Sequence, residues 1–157
     1  MKSRKPGQYF ALVIGILFLL IGIMGFIPAL VKDPTVSADA ANLGFTTGYG
    51  YLLGLFPINT LHNIVHLSVG FLGILASISL GSSRLYSGAL ALFYGLLTIL
   101  GLFPATQSTL GFIPIFGNDV WLHASTAAIA TYFGFIATPD LAELTEKKLS
   151  ERSMSSD

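Results

Sequence analysis

The stretch LGLFPINTLHNIVHLSVG, from Leu53 to Gly70, decides how the rest of this sequence is organised. It places His62 and His66 four residues apart in an apolar run, so both side chains lie on one face of a helix. Ionisable groups inside a long apolar segment are costly unless they have partners. The stretch therefore predicts a buried helix that carries a polar site.

A weaker copy, LGFIPIFGNDVWLHASTAA, runs from Leu110 to Ala128. When the two stretches are aligned on their shared proline, His66 pairs with His123. The same alignment pairs His62 with Asp119. If the two stretches are related by symmetry, these four side chains lie at matching depths on facing helices.

The duplication extends to two earlier motifs, GFIPAL in the first half and GLFPAT in the second. Because each unit holds two spans, both units have the same orientation in the membrane. They would be related by a rotation axis along the membrane normal. We predict two parallel two-helix repeats, one over about residues 9–80 and one over about residues 84–138.

The composition excludes an ordinary water-soluble domain. Of the 157 residues, 53% are hydrophobic and 10% are charged, and the mean hydropathy is +0.74. Soluble domains carry about 25% charged residues. The formal net charge of zero gives no electrostatic basis for binding nucleic acid. The sequence has no cysteine, which excludes disulfides and thiolate metal ligands.

We predict an all-α polytopic membrane protein with four transmembrane helices. Gly15, Gly22 and Gly25 leave a small-residue face on the first helix, which suits close packing in lipid. Asn59 is expected to cap the second helix and Asn118 the fourth. The four spans cover Tyr9 to about Ile27, Thr60 to about Leu80, Tyr86 to about Phe103, and Asn118 to about Thr138, where Pro139 ends the last one.

The segments between the spans differ in composition. Residues 31–42 are charged and polar, as in an exposed loop, and GSSR, from Gly81 to Arg84, predicts a tight turn. Gly44 to Ile58 is apolar but interrupted by glycines and a proline, which favours an interfacial or re-entrant segment over the helices. Residues 140–157 predict a charged cytoplasmic tail, helical at first and partly disordered.

A basic start followed by an apolar stretch is also typical of a secretory signal peptide. The stretch from Tyr9 to Leu30 exceeds the roughly 7–15 residues of a signal-peptide apolar region. We therefore expect a retained first helix, and the small residues near Ser37 leave cleavage as the alternative.

Seven of the eight lysines and arginines fall on one side of the predicted membrane, and Lys32 falls on the other. The positive-inside rule therefore places both termini in the cytoplasm. His62 and Asp119 then lie within about one helical turn of the extracytoplasmic boundary. His66 and His123 lie one turn deeper.

The sequence resembles a family of small bacterial four-helix membrane proteins described as a domain of unknown function, DUF4383. Two motifs carry the resemblance: LHNIVH at residues 61–66 and NDVWLH at residues 118–123. The resemblance covers roughly residues 9–139. It implies a four-span fold and a bacterial source, with the inner (plasma) membrane or a thylakoid membrane as the location. It implies no activity, so no catalytic role is carried over to any residue.

Four explanations of the polar residues stay open, of which the last is a transport or proton-relay path formed by an oligomer. The histidines and Asp119 either form hydrogen bonds between helices or bind a transition-metal ion. A set comprising His62, His66, His123 and Asp119 suits zinc, iron or copper. The third explanation is a porphyrin, with His66 and His123 as axial ligands of haem or one of them ligating chlorophyll. Small residues would make room for the macrocycle: Gly70, Gly73, Ala124 and Ala127.

The sequence gives little support to an enzyme. Asn63 stands where the zinc-protease motif HExxH requires a glutamate, and the sequence contains no P-loop or Gly-x-Ser-x-Gly motif. We therefore expect a non-enzymatic accessory or interaction protein without catalytic residues. Its partners would be the lipid bilayer and other membrane proteins or copies of itself. The alternative is a haem-, pigment- or metal-binding redox protein that uses the histidines of spans two and four.

Overall fold

The computed structural model describes residues 4–34, 49–109, 111–137 and 141–155, without the side chains of residues 141–144. The predicted loop at residues 35–42, the cleavage position near Ser37, the start of the segment at Gly44, and Pro139 lie outside the described residues. Within them the α-helices are α1 (Pro6–Met24), α2 (Thr60–Ala76), α3 (Leu80–Leu102), α4 (Asn118–Thr131) and α5 (Leu141–Met154). The short strands are β1 (Val31–Lys32), β2 (Gly50–Leu52), β3 (Phe56–Ile58), β4 (Ser108–Thr109) and β5 (Ile113–Pro114).

The described chain is mostly helical, and both α1 and α3 are long and apolar enough to cross a membrane. α1 begins at Pro6, earlier than predicted, because a proline suits the first turn of a helix. The side-chain oxygen of Gln8 also accepts a hydrogen bond from the Lys5 backbone nitrogen at 3.0 Å. The predicted cap of α2 is confirmed, since Asn59 Oδ1 accepts a hydrogen bond from the His62 backbone nitrogen at 2.9 Å.

The predicted turn from Gly81 to Arg84 is wrong, because these residues form the first helical turn of α3. The chain reverses earlier, over residues 77–79. Ser79 caps α3, and its hydroxyl accepts a hydrogen bond from the Ser82 backbone nitrogen at 3.1 Å. A serine before the helix therefore sets its start, although a glycine stands two residues later.

The start of α4 also differs from the prediction. Gly117, with a φ of +63°, occupies the cap position, and Asn118 is the first helical residue. Asn118 instead donates a hydrogen bond from Nδ2 to the carbonyl oxygen of Leu55 at 3.2 Å, which links the two halves of the chain. After Thr131 the helix continues as one π-helical turn over Tyr132–Ile136.

Glycines let α1 and α2 pack antiparallel at close range. A Cβ on Gly15 would lie 2.7 Å from the backbone nitrogen of Ile74. A Cβ on Gly22 would lie 2.9 Å from the carbonyl oxygen of Asn63, and one on Gly73 would lie 2.8 Å from the Gly15 Cα. These neighbours are backbone atoms, which cannot move aside. The predicted small-residue face of the first helix is therefore confirmed.

A second antiparallel pair consists of α3 and α4. Gly101, near the end of α3, lies against Val120, near the start of α4. At the opposite end, Gly134 lies against the backbone of Gly88. Both pairs thus use small residues to bring their backbones together.

Aromatic side chains join the two helix pairs. Phe18 of α1 stacks on Tyr94 of α3 with ring centroids 5.1 Å apart, and both side chains are fully buried with Leu90. Nearer the start of α1, Phe10 stacks on Phe133 at 4.8 Å. α1 is therefore in contact with both partners of the second pair.

The described part of the segment that was predicted to be interfacial or re-entrant forms strands. β1, β2 and β3 make an antiparallel sheet in which Val31 pairs with Leu52, and Leu52 pairs with Phe56. β4 and β5 pair in the second half, with Ser108 opposite Pro114. Cross-strand bonds satisfy backbone groups that no helix satisfies. Strands of two or three residues show no usable alternation, so the sequence did not predict them.

We expect Gly15→Ala to lower the thermal unfolding midpoint of the detergent-purified protein, because its Cβ meets the α2 backbone. Overpacking of this kind costs about 1–3 kcal/mol. Gly95→Ala in α3 is the matched control, since a Cβ there meets no atom within 4 Å. The midpoint of the control is expected to stay unchanged or rise. Equal destabilisation by both variants would contradict the close packing.

Candidate metal centre

The four polar residues singled out in the sequence lie together in the structure. His62 and His66 project from α2, whereas Asp119 and His123 project from α4, and each is only 1–2% exposed. One ring nitrogen from each of the three histidines lies within 4.8 Å of the others. The juxtaposition expected from the alignment is present, and the binding of a ligand stays a prediction.

The segment before α2 orients His62. Nδ1 of His62 lies 3.2 Å from the carbonyl oxygen of Pro57. Because a carbonyl oxygen only accepts, this hydrogen bond requires the proton on Nδ1 and leaves a lone pair on Nε2 of the neutral ring. A ligating histidine commonly donates its other nitrogen to a carbonyl in this way.

Asp119 occupies the space between histidines from both helices. Its Oδ2 lies 3.8 Å from Nε2 of His62 and 3.6 Å from Nε2 of His123. A neutral His62 ring would face an ionised Asp119 carboxylate with lone pairs on both sides. Two acceptors in this arrangement repel unless a proton or a metal cation lies between them.

Seven polar atoms of the cluster are buried without a hydrogen-bond partner among the described residues. They are both ring nitrogens of His66, both ring nitrogens of His123, both carboxylate oxygens of Asp119 and the hydroxyl of Tyr94. A buried polar atom left unpaired costs about 1–3 kcal/mol. Coordination of a cation is one way in which the nitrogen and carboxylate oxygen atoms would gain a partner.

Aromatic rings enclose the two deeper histidines. The His66 ring lies 5.1 Å from the Phe18 ring and 4.4 Å from the His62 ring, centroid to centroid. The edge of the Tyr94 ring meets His123, at 4.7 Å. These contacts restrict the orientation of the imidazoles, which are buried.

Tyr94 was not predicted from the sequence, although its ring lies against His123 of the candidate site. It is fully buried in α3, its ring contacts His123, and its hydroxyl has no hydrogen-bond partner in the described chain. One signal was available. A tyrosine well inside an apolar span, away from the interfacial positions where tyrosine usually lies, requires a polar neighbour.

The donor set and its spacing fit a small transition-metal ion. An ion centred among three nitrogens that lie within 4.8 Å of one another would be about 2.8 Å or less from each, whereas a zinc–nitrogen bond measures about 2.0–2.1 Å. Small rotations of the histidine side chains, which move each nitrogen by less than about 1 Å, would close this difference. Three imidazoles and one carboxylate also match the ligand types of zinc, iron and copper.

The surroundings of His66 do not fit a porphyrin. Gly70 and Gly73, which were expected to make room for the macrocycle, are occupied by α1. A Cβ on either residue would lie 2.8 Å from a backbone atom of Gly15. Phe18 lies directly against His66 on this side. The space that these glycines leave is therefore filled by α1, so a macrocycle placed between α1 and α2 would clash with the α1 backbone.

Comparison with known proteins identifies the family of this chain. The model of a family described as a domain of unknown function, DUF4383, matches residues 8–136, from the first turn of α1 to the π-helical turn. No curated protein and no solved structure matches. The match covers most of the chain, including all the residues of the candidate metal centre, and it confirms the resemblance carried by LHNIVH. The chain belongs to the DUF4383 family.

Proposed function

We propose that this protein is a four-span membrane protein that binds one divalent transition-metal ion in the cluster of His62, His66, His123 and Asp119. The observation that carries the proposal is the convergence of three histidine nitrogens within 4.8 Å of one another, beside a buried carboxylate. The role we propose is accessory, with the bilayer and another membrane protein or a second copy as partners.

The distribution of side chains supports a membrane location. Many large apolar side chains on the described helices face outward, whereas polar side chains are buried at His62, His66, Asp119, His123, Ser83 and Ser87. This pattern is the reverse of that in a soluble domain. Outward apolar side chains that are at least half exposed include Val13, Leu72, Leu92, Leu96, Ile99 and Ile129.

Helix lengths support four spans. At 1.5 Å per residue, the 19 residues of α1 and the 23 residues of α3 extend about 28 Å and 34 Å, close to the thickness of a hydrocarbon core. α2 has 17 residues, and α4 with its π-helical turn is of similar length. The antiparallel pairing of α1 with α2 and of α3 with α4 agrees with both termini lying on the same side of the membrane.

Equivalent elements in the two halves support the proposed duplication. Each half contains a helix, a short 3-10 helix, short antiparallel strands and a second helix. Gly54 and Gly111, which the sequence alignment pairs, have φ values of +73° and +76°. The contact between His62 and Asp119 then joins equivalent positions of two parallel repeats across their axis.

The enclosure of the cluster supports an accessory role rather than catalysis. Catalytic zinc sites hold the metal with three protein ligands and keep a fourth position open, whereas structural sites are closed. Here three histidines and Asp119 supply four donors, each from a side chain no more than 2% exposed. Four such donors would complete the coordination of a tetrahedral ion.

We expect protein purified in detergent and loaded with zinc to retain about one metal ion per chain, measured by inductively coupled plasma mass spectrometry. His66→Ala and His123→Ala are expected to lose most of the metal. Thr126→Ala is the matched control, because Thr126 is buried in α4 but its hydroxyl bonds the Leu122 carbonyl of its own helix. A metal-free parent, or equal metal content in all variants, would contradict the proposed metal site.

The topology is testable with single cysteines, because the chain contains no native cysteine. In intact cells we expect a membrane-impermeant thiol reagent to label Asp33→Cys, which lies on the strand side of the helices. Ser82→Cys and Ser150→Cys are expected to react only after the membrane is permeabilised. Labelling of all three in intact cells would contradict the proposed orientation.

A further inference from the structure

A second site lies at the end of the molecule opposite the strands. There α1 begins, α2 ends and α3 begins, and a cleft of about 500 Å³ opens between them and α5. Its charged lining residues are Arg4, Lys5, Lys147 and Glu151. Three cationic groups against one carboxylate give the cleft a net positive charge.

Hydrogen bonds hold one side of the cleft in place. Gln8 donates from Nε2 to the carbonyl oxygens of Ser77 and Ile78, both at 3.0 Å. Arg4 donates from Nη1 to the Ser77 hydroxyl at 3.2 Å. A guanidinium has five N–H donors, so this bond positions the group while leaving donors for another acceptor.

Apolar residues adjoin these cations. Ile78 and Leu80 line the same cleft, and Ile78 is 74% exposed. One turn into α3, Leu85 is 64% exposed. Cationic groups next to exposed apolar side chains are expected at the depth where phospholipid headgroups meet acyl chains.

We infer that this cleft binds the phosphate of an anionic phospholipid headgroup in the cytoplasmic leaflet. Basic pockets between helices on this side of a membrane suit such headgroups, and a guanidinium matches the geometry of phosphate oxygens. The inference requires the proposed membrane orientation but is independent of the metal centre. Inorganic phosphate offers the same chemistry, so the test separates the two sources.

Native mass spectrometry of the detergent-purified chain tests this inference. We expect retained phosphatidylglycerol to exceed retained phosphatidylcholine, and each of Arg4→Gln and Lys147→Gln to weaken phosphatidylglycerol binding about fivefold. Lys32→Gln removes the same charge at the strand end and is expected to change nothing. Arg4→Lys is expected to keep most of the binding, which separates loss of charge from loss of folding.

Three outcomes would overturn the inference. One is equal retention of both lipids by the parent protein. Another is unchanged phosphatidylglycerol binding in both Arg4→Gln and Lys147→Gln. The third is displacement of phosphatidylglycerol by millimolar inorganic phosphate, which would assign the cleft to a soluble anion. Retention of the lipid in that phosphate would support the headgroup.

Discussion

Buried hydrogen-bond acceptors of His62, Asp119 and His123 lie close together between α2 and α4. The packing of the surrounding helices is arranged around this cluster. Asp119 presents a carboxylate that lies 3.6–3.8 Å from ring nitrogens of His62 and His123. In an apolar interior such acceptors repel one another unless a cation or a proton lies between them. The Pro57 carbonyl fixes the proton of His62 on the side away from the carboxylate. Both halves of the chain contribute a helix to this meeting point, so a bound ion would also link the two halves.

The packing around the cluster restricts what it can hold. Gly15 and Gly73 bring α1 and α2 into backbone contact, and Phe18 and Tyr94 fill the space beside the imidazoles. A ligand as large as a porphyrin has no room on this side, whereas an ion requires only small side-chain rotations. Close helix packing therefore stabilises the fold and leaves little space beside His66 for a large ligand.

The sequence alone predicted the parts of the structure that depend on composition and on local pattern. Long apolar stretches gave the helices, and Asn59 was identifiable as a cap because asparagine accepts from helix N–H groups. The pairing of His66 with His123 followed from the alignment of two related stretches. Each of these features can be identified from the sequence of the segment itself, without knowledge of its contacts.

The features that were missed depend on contacts between segments. The sequence predicts a turn at Gly81. In the structure the chain reverses before it, because Ser79 caps α3 and Gln8 bonds the end of α2. The strands are too short to show alternation. Tyr94 belongs to the site only because α3 packs beside α4. The space beside Gly70 is filled by α1. This contact between two helices is not visible in the local sequence.

X-ray absorption spectroscopy at the metal edge of the zinc-loaded, detergent-purified protein tests the central claim most directly. The account predicts four nitrogen or oxygen ligands at about 2.0 Å, with the multiple scattering typical of three imidazoles. Absence of imidazole scattering, or a first shell of water alone, would contradict it.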